Sequence, residues 1–238
     1  ATEMYSAGID RLTHQPLSFS VSETTEGVHI HIIDAELMGK GEKEKKDLYI
    51  EGVQNNGIIN HYEYIINSEG TIEIRHVLKP EGKMPLWFPR IGLTLTVSDA
   101  LDQVKWYGRG PQENYPDRKT GYPTGIYAST VQAMYEPYLM PQDYGLRTDV
   151  RWLQLTTDKG IGLQFKMNEW FNFNIYPYST DNLTKAMYTY QLQKQKGMTL
   201  NLDYATTGVG CTARGVFGAY KAMPQEYRRT ISIRPMMK

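Results

Sequence analysis

Residues 106–118 read WYGRGPQENYPDR, a segment without helical or strand periodicity that combines aromatic, glycine, proline and charged residues. Pro111 and Pro116 each fix φ near about −65° and bias the preceding residue toward an extended backbone. Such a loop is stiff, so its polar side chains point in fixed directions, and rigid loops of this kind often serve recognition. The residues alone leave two interpretations open: a recognition loop, or a surface turn whose charges pair with one another.

Around this loop the chain alternates apolar and polar residues with a period of two, the pattern of half-buried β-strands. The clearest runs cover residues 72–78, 161–167, 171–176, 200–204 and 231–233. Turn residues separate the runs at Glu26-Gly27, Asn56-Gly57, Ser68-Glu69-Gly70, Glu81-Gly82 and Lys159-Gly160. Many short strands at close spacing predict an antiparallel sandwich.

Helical signals are sparse. Ser179, Thr180 and Asp181 offer capping side chains ahead of residues 183–187, which predicts one short helix there. The charged stretch 39–47, GKGEKEKKD, predicts a loop or hairpin tip because its charges largely cancel. Since no internal repeat or sharp change in composition marks a boundary, we predict one domain over residues 1–238, with residues 1–15 as a linker or edge segment.

Composition excludes several classes of protein. The formal net charge is zero, which does not favour nucleic acid or an anionic membrane as a partner. No apolar run approaches the ~18 residues that cross a bilayer, and no signal-peptide pattern opens the chain. The single cysteine, Cys211, excludes an internal disulfide framework. We therefore expect a soluble domain that contacts neither nucleic acid nor membrane.

The histidines all lie in the first third of the chain. His29 and His31 are two residues apart on a predicted strand, so both face one side and could share a metal. A zinc site needs further ligands, and no third ligand stands at a recognisable spacing. We therefore predict a structural role for this pair and no metal site. Zinc-type cysteine patterns, nucleophile elbows and Walker loops are absent as well, and Gly208-Val209-Gly210 is typical of a turn.

The loop also resembles a known family. Residues 110–118, GPQENYPDR, are similar to the signature of the C-terminal, small-chain domain of glycoside hydrolase family 2 β-galactosidases. The resemblance runs from about Met84 to Gly210. It includes RIGL at 90–93, VKW at 104–106, MYEPY at 134–138, PQDYGLR at 141–147, FNFN at 171–174, LNLD at 200–203 and GVG at 208–210.

The resemblance implies an all-β fold, a twisted antiparallel β-sandwich of the galactose-mutarotase-like (supersandwich) type, with at most one or two short helices. It also implies a piece excised from a longer bacterial enzyme, cytoplasmic or periplasmic, and the opening Ala1-Thr2-Glu3 fits a cut point. That enzyme would be a retaining β-galactosidase, which hydrolyses terminal β-D-galactosyl bonds. The chain would then contribute a wall of the substrate pocket and packing between domains.

No catalytic residue is expected in this chain. Glycoside hydrolysis needs two carboxylates, and in the family both glutamates lie in a separate (β/α)₈ barrel of about 250 residues, which this strand-rich sequence cannot supply. The resemblance implies no cofactor here, with Mg and Na in other domains of the parent. Its implied partners are the galactoside substrate and the catalytic barrel of the same polypeptide, in a parent that can form a homo-oligomer.

The resemblance also implies sugar contact. In the family, the loop after the GVG-like element carries a D-S-W triplet whose Trp walls the glucose side of the pocket. Here residues 210–215 read GCTARG, without Trp. We expect Arg214, through its planar guanidinium, or Phe217, through its ring, to take that place, and Glu113 and Asn114 to contact substrate. We expect structural roles in the motif for Gly110, Pro111, Tyr115, Pro116, Asp117, Arg118 and Arg147, with Arg147 paired to Glu113 or Asp117.

Two functions of other classes remain open. One is a free-standing aldose epimerase-like enzyme, in which a histidine and a carboxylate act as acid and base. The other is a non-catalytic carbohydrate-binding module, which needs an exposed row of coplanar aromatic rings. The position of every histidine before Glu81, outside the best-matched region, counts against the epimerase.

Overall fold

A computed structural model of the chain describes residues 8–38, 56–210 and 215–237. The described residues form eleven β-strands, one α-helix and three short 3-10 helices. The strand pairs given below are antiparallel. The predicted all-β, antiparallel class with at most one or two short helices is confirmed. Within the described ranges, no helix has the length and apolarity to span a membrane.

The chain divides into two compact units. The first takes its residues from 1–89 and 222–232, and the second from 90–221 and 233–238. The last strand, β11 (Tyr227–Met236), therefore contributes residues to both units. The single domain over 1–238 stays a prediction. In the predicted linker or edge segment, the described part holds a 3-10 helix at Ile9–Arg11 and the start of β1.

A four-stranded meander makes up most of the first unit. Its strands are β1 (Thr13–Thr24), β2 (Gly27–Leu37), β3 (Gly57–Ile66) and β4 (Ile72–Glu81), each paired with the next. The turns predicted at Glu26-Gly27 and at residues 68–70 connect these strands as expected. The predicted loop at residues 39–47 lies outside the described residues.

One histidine of the first unit belongs to its core. His76 is 2% exposed, its Nε2 lies 2.9 Å from Asn60 Oδ1, and its ring stacks on Tyr62 at 4.2 Å between centroids. Burial lowers the pKa of His76 to about 4, so the ring is neutral near physiological pH. Its role is packing rather than acid–base chemistry.

The second unit contains a six-stranded antiparallel sheet. In spatial order the strands are β5 (Arg90–Val97), β10 (Met198–Thr206), β9 (Gly162–Tyr176), β8 (Arg147–Thr156), β6 (Gln103–Arg109) and β7 (Thr124–Thr130). The alternation at 171–176 and 200–204 puts large side chains into the core. The prediction that these strands are half-buried is wrong, because Asn174, Asn201 and Asp203 at their polar positions are buried as well. The largest buried ones include Trp106, Phe165, Phe171, Phe173, Tyr176, Leu200 and Leu202.

The predicted helix is present as α1 (Thr180–Lys185). Ser179 caps it, its hydroxyl accepting the Asn182 amide at 3.0 Å, and Leu183 is buried beside Tyr144 and Tyr176. The helix ends before Met187 because Ala186 has an extended backbone.

Strands β5 and β10 approach so closely at Gly92, in the RIGL segment, that a residue with a side chain does not fit there. A Cβ on Gly92 would lie 2.3 Å from the carbonyl oxygen of Leu202 and 2.6 Å from Asp203 Cα. The pairing of β10 with β5 shifts register just after Asp203. Backbone atoms cannot rotate away as a side chain could, so an added methyl group forces the strands apart.

We expect Gly92→Ala to lower the free energy of unfolding by about 1–3 kcal/mol, the usual cost of overpacking. Gly121→Ala is the matched control, because a Cβ there meets nothing within 4 Å. Denaturant unfolding of both variants measures the difference. Equal stability of the two variants would contradict the close approach of these strands.

Candidate functional site

Residues 106–109 form the end of strand β6, so the prediction that the whole 106–118 segment lacks strand structure is wrong, and the loop covers residues 110–118. Glu113 lies buried within this loop. Its carboxylate accepts hydrogen bonds from Gly145 N at 2.9 Å, Arg118 Nη2 at 2.7 Å and Tyr115 Oη at 3.3 Å, and from the Tyr138 hydroxyl. A carboxylate offers about four acceptor positions, and these protein donors occupy them. A substrate hydroxyl would have to displace one, so substrate contact through Glu113 stays a prediction.

Asn114, which is 0% exposed, ties the same loop to the start of β8. Its Oδ1 accepts the Thr148 amide at 3.1 Å and the Thr148 hydroxyl at 2.5 Å, while its Nδ2 donates to the Gln112 carbonyl at 3.0 Å. The Asn114 amide donates to the Leu146 carbonyl at 2.8 Å. This side chain acts as a cross-link between backbone segments, and its predicted contact with substrate stays untested.

Arg147 holds the loop by a different route from the one predicted. Its Nε donates to the Pro111 carbonyl at 3.0 Å, its Nη1 donates to the Gly145 carbonyl at 2.8 Å, and its guanidinium lies 5.4 Å from the Trp106 ring. Burial lowers its pKa to about 10, so it keeps its charge at neutral pH. The predicted ion pair of Arg147 with Glu113 or Asp117 is wrong: Glu113 pairs with Arg118, and backbone carbonyls accept from Arg147.

Asp117 contacts a second loop, whose described residues are 208–210 and 215–220 and which we call the anchored loop. Its Oδ1 accepts the Val209 amide at 3.0 Å and its Oδ2 accepts the Gly210 amide at 2.7 Å. A Cβ on Gly208 would lie 2.3 Å from Asp117 Cγ, so only glycine fits beneath the carboxylate. The Gly208 amide also donates to the Tyr220 carbonyl at 2.8 Å, which closes the base of the loop.

The anchored loop contains one of the two residues predicted to replace the missing Trp. Phe217 is 68% exposed and directly precedes the 3-10 helix at Gly218–Tyr220. Arg214 lies outside the described residues, as do the other residues of 211–214. The structure therefore places one of the two candidates, an exposed aromatic ring on a loop whose base is fixed.

A buried ion pair that the sequence did not predict joins β5 to β10. Arg90 donates to Asp203 Oδ2 from Nη2 at 2.7 Å and from Nε at 3.2 Å, and the Asp203 side chain is 2% exposed. Burial raises the pKa of Asp203, while Arg90 opposes that rise. Burial also disfavours the charge on Arg90, but the nearby Asp203 and Asp143 carboxylates raise its pKa. The pair is stable only because each charge has its partner.

The ion pair extends into a hydrogen-bond network. Asp143 Oδ1 accepts from Arg90 Nη1 at 3.4 Å, Asn174 Nδ2 at 2.9 Å and Tyr176 Oη at 3.1 Å. Asn174 Oδ1 in turn accepts from Arg90 Nη2 at 3.2 Å and Asn201 Nδ2 at 2.8 Å. The segments RIGL, PQDYGLR, FNFN and LNLD, which lie far apart in the chain, thus meet at one polar cluster.

The cluster is suited to support rather than to bond cleavage. A glycosidase needs two carboxylates that flank the scissile bond, and Asp203 is too buried to reach one. Only the Arg90–Asp143 edge meets solvent, with side chains 25% and 42% exposed. The sequence did not signal this cluster, since Asn174, Asn201 and Asp203 occupy the polar positions of an alternating pattern, where exposed side chains are expected.

We expect Arg90→Ala to lower the free energy of unfolding by about 3–5 kcal/mol, because it leaves Asp203 charged and buried without its cationic partner. Lys185→Ala is the control: its pair with Asp181 is exposed on both sides, at 75% and 69%. An exposed pair of this kind contributes about 0.5 kcal/mol or less. Denaturant unfolding compares the variants, and similar losses in both would contradict a buried network.

Comparison with known proteins identifies a family that matches most of the chain and relatives that match more than half of it. The family model described as "Beta galactosidase small chain" matches residues 6–233, which draw on both units. A β-galactosidase of Priestia megaterium is 38% identical over 147 residues, 62% of this chain and 14% of that protein. One from Vibrio cholerae is 39% identical over 122 residues, 51% of this chain and 11% of that protein. One from Pseudoalteromonas haloplanktis is 34% identical over 148 residues, 62% and 14% respectively.

The chain therefore spans only 11–14% of the length of these three relatives. Among solved structures, a GalM/aldose epimerase homologue from C. elegans aligns with 92% of this chain and 69% of that chain, at 11% identity and a TM-score of 0.44.

Proposed function

The chain belongs to the β-galactosidase small-chain family, and on that premise we propose that it is a non-catalytic domain of a larger, retaining β-galactosidase. Its relatives carry the name β-galactosidase, and its alignment with 11–14% of their length fits one domain of a long polypeptide. The catalytic glutamate pair would then lie in a barrel domain of the same polypeptide. This chain would support the substrate pocket without performing the chemistry.

The observation that carries this proposal is the Asp117 contact to the anchored loop. Two charge-assisted hydrogen bonds, of 3.0 and 2.7 Å, hold the amides of Val209 and Gly210. They stand immediately before the segment where the family resemblance locates the sugar-facing Trp. An exposed Phe217 on a fixed base provides the flat apolar surface that stacks on a pyranose ring. We therefore assign this loop to the aglycone side of the pocket.

In this proposal the remaining motif residues support the pocket wall from below and do not contact substrate. The side-chain oxygens of Glu113 and Asn114 accept hydrogen bonds from protein donors. These bonds fix the path of the 110–118 loop and with it the position of Asp117. Arg214 supplies the polar contact of the wall, because a guanidinium donates to sugar hydroxyls from several N–H groups.

The two alternative functions have weaker support. All five histidines belong to the first unit, and the buried His76 is a packing residue. A binding module needs a flat row of exposed rings. Tyr188 and Tyr190 are exposed and their ring planes are parallel within 7°, but the two rings stack on each other with 5.5 Å between centroids. The exposed Trp170 has the Arg151 guanidinium 4.1 Å from its ring centroid, so one face is covered.

We expect the 238-residue chain alone not to hydrolyse a chromogenic β-galactoside, because the catalytic pair would be elsewhere. The longer polypeptide, assayed in parallel, should be active. Turnover by the purified chain that disappears on Glu113→Gln or Asp117→Asn would overturn the assignment of a non-catalytic domain.

In the active, longer enzyme we expect Asp117→Ala and Phe217→Ala each to lower kcat/KM for a disaccharide more than for an aryl galactoside. The selective loss should be about 1 kcal/mol or somewhat more, the value of one hydrogen bond or ring contact to the aglycone. Arg214→Ala should act in the same direction. Asp158→Ala, in the exposed turn between β8 and β9, is the control, and it should leave kcat/KM unchanged for both substrates.

Steady-state kinetics on the two substrates measures this difference. If all variants lowered kcat/KM equally for both substrates, the anchored loop would not lie on the aglycone side.

A further inference from the structure

The sheet of the first unit brings together three metal-ligating side chains. His29 and His31 lie two residues apart on β2, and Glu63 on β3 is the direct cross-strand partner of His31. One ligand atom from each lies within 4.8 Å of the other two. From this juxtaposition we propose that His29, His31 and Glu63 form a binding site for a divalent transition-metal cation of the zinc type.

The distances are close to those of an assembled site. A tetrahedral zinc ion with bonds of about 2.0–2.2 Å holds its nitrogen and oxygen ligands about 3.3–3.5 Å apart. His29 Nδ1 lies 3.3 Å from Glu63 Oε1, and His31 Nε2 lies 4.0 Å from the same oxygen. His29 and Glu63 are therefore already spaced as ligands. The His31 side chain is 50% exposed, so a small rotation of its ring completes the set.

Neighbouring groups orient two of the three ligands. The outer nitrogen of His29, Nε2, lies 3.1 Å from Thr24 Oγ1. The Thr24 hydroxyl can direct its hydrogen to the Gly27 carbonyl, 3.5 Å away, which leaves its oxygen to accept from His29. A proton on Nε2 turns the Nδ1 lone pair toward the metal. Such outer hydrogen bonds commonly fix the tautomer of a ligating histidine.

Glu63 is held from its other side. Its Oε2 accepts from Arg75 Nη1 at 3.1 Å, while Arg75 Nε is paired with Glu73 at 2.8 Å. The two oxygens of Glu63 thus have separate roles, with Oε1 facing the histidines. The charge of Arg75 is balanced by Glu73, which reduces its repulsion of an incoming cation.

The ligand types select the class of metal. Two imidazole nitrogens and one carboxylate oxygen suit zinc and its neighbours, and do not suit Ca²⁺ or Mg²⁺, which prefer oxygen ligands only. Three protein ligands leave further positions for water. A second cluster, of His14, Asp34 and Glu36, has one nitrogen, and its His14 side chain is 66% exposed. That cluster is a poorer match for zinc.

The test uses the tag-free, metal-stripped 238-residue chain, titrated with Zn²⁺ by isothermal titration calorimetry near neutral pH. We expect saturable binding of one ion in the micromolar range. His31→Ala and Glu63→Gln should each weaken it at least about tenfold, because each removes one of three ligands. His61→Ala removes an exposed imidazole from β3 outside the cluster, and should leave the affinity unchanged.

Thermal unfolding provides a second readout. Since the ion binds the folded chain, Zn²⁺ should raise the Tm of the wild type and of His61→Ala, but not that of His31→Ala or Glu63→Gln. Circular dichroism without metal checks that each variant is folded. The proposal is overturned if Zn²⁺ does not bind, if it binds both cluster variants as tightly as the wild type, or if His14→Ala is the variant that loses binding.

Discussion

A buried charge persists in a folded protein only where other groups replace the water that it has lost. In the second unit this constraint applies to Asp203, which is bound by Arg90, and to Glu113, which is surrounded by four donors. Each group requires partners from segments that are distant in sequence. Satisfying them fixes how those segments meet, and it leaves Asp117 directed at the amides of the anchored loop.

The same principle explains why the family motif is rich in polar residues. Glu113 and Asn114 use their oxygens to bind backbone and side-chain donors, and Arg147 uses its N–H groups on carbonyls. The motif therefore acts as a rigid support. In the function that we propose, the motif fixes the position of the anchored loop, which carries Phe217, and the chemistry takes place in another domain.

Local patterns in the sequence predicted much of the fold. Period-two alternation located strands such as β4 and β10, and the Ser179 cap located α1, because both signals act over a few residues. Partners that depend on long-range approach were not predictable. The Arg90–Asp203 pair, the wrongly predicted partner of Arg147 and the approach of Glu63 to His29 and His31 all depend on how distant segments meet, which local patterns do not specify.

The central claim is that the motif positions the anchored loop through Asp117, and amide hydrogen exchange tests it most directly. Val209 is 51% exposed, so its amide would exchange quickly if it met only water. The account predicts slow exchange at Val209 and Gly210 in the wild type, and rapid exchange at both in Asp117→Ala, which removes both acceptor oxygens. Rapid exchange of these two amides in the wild type would contradict it.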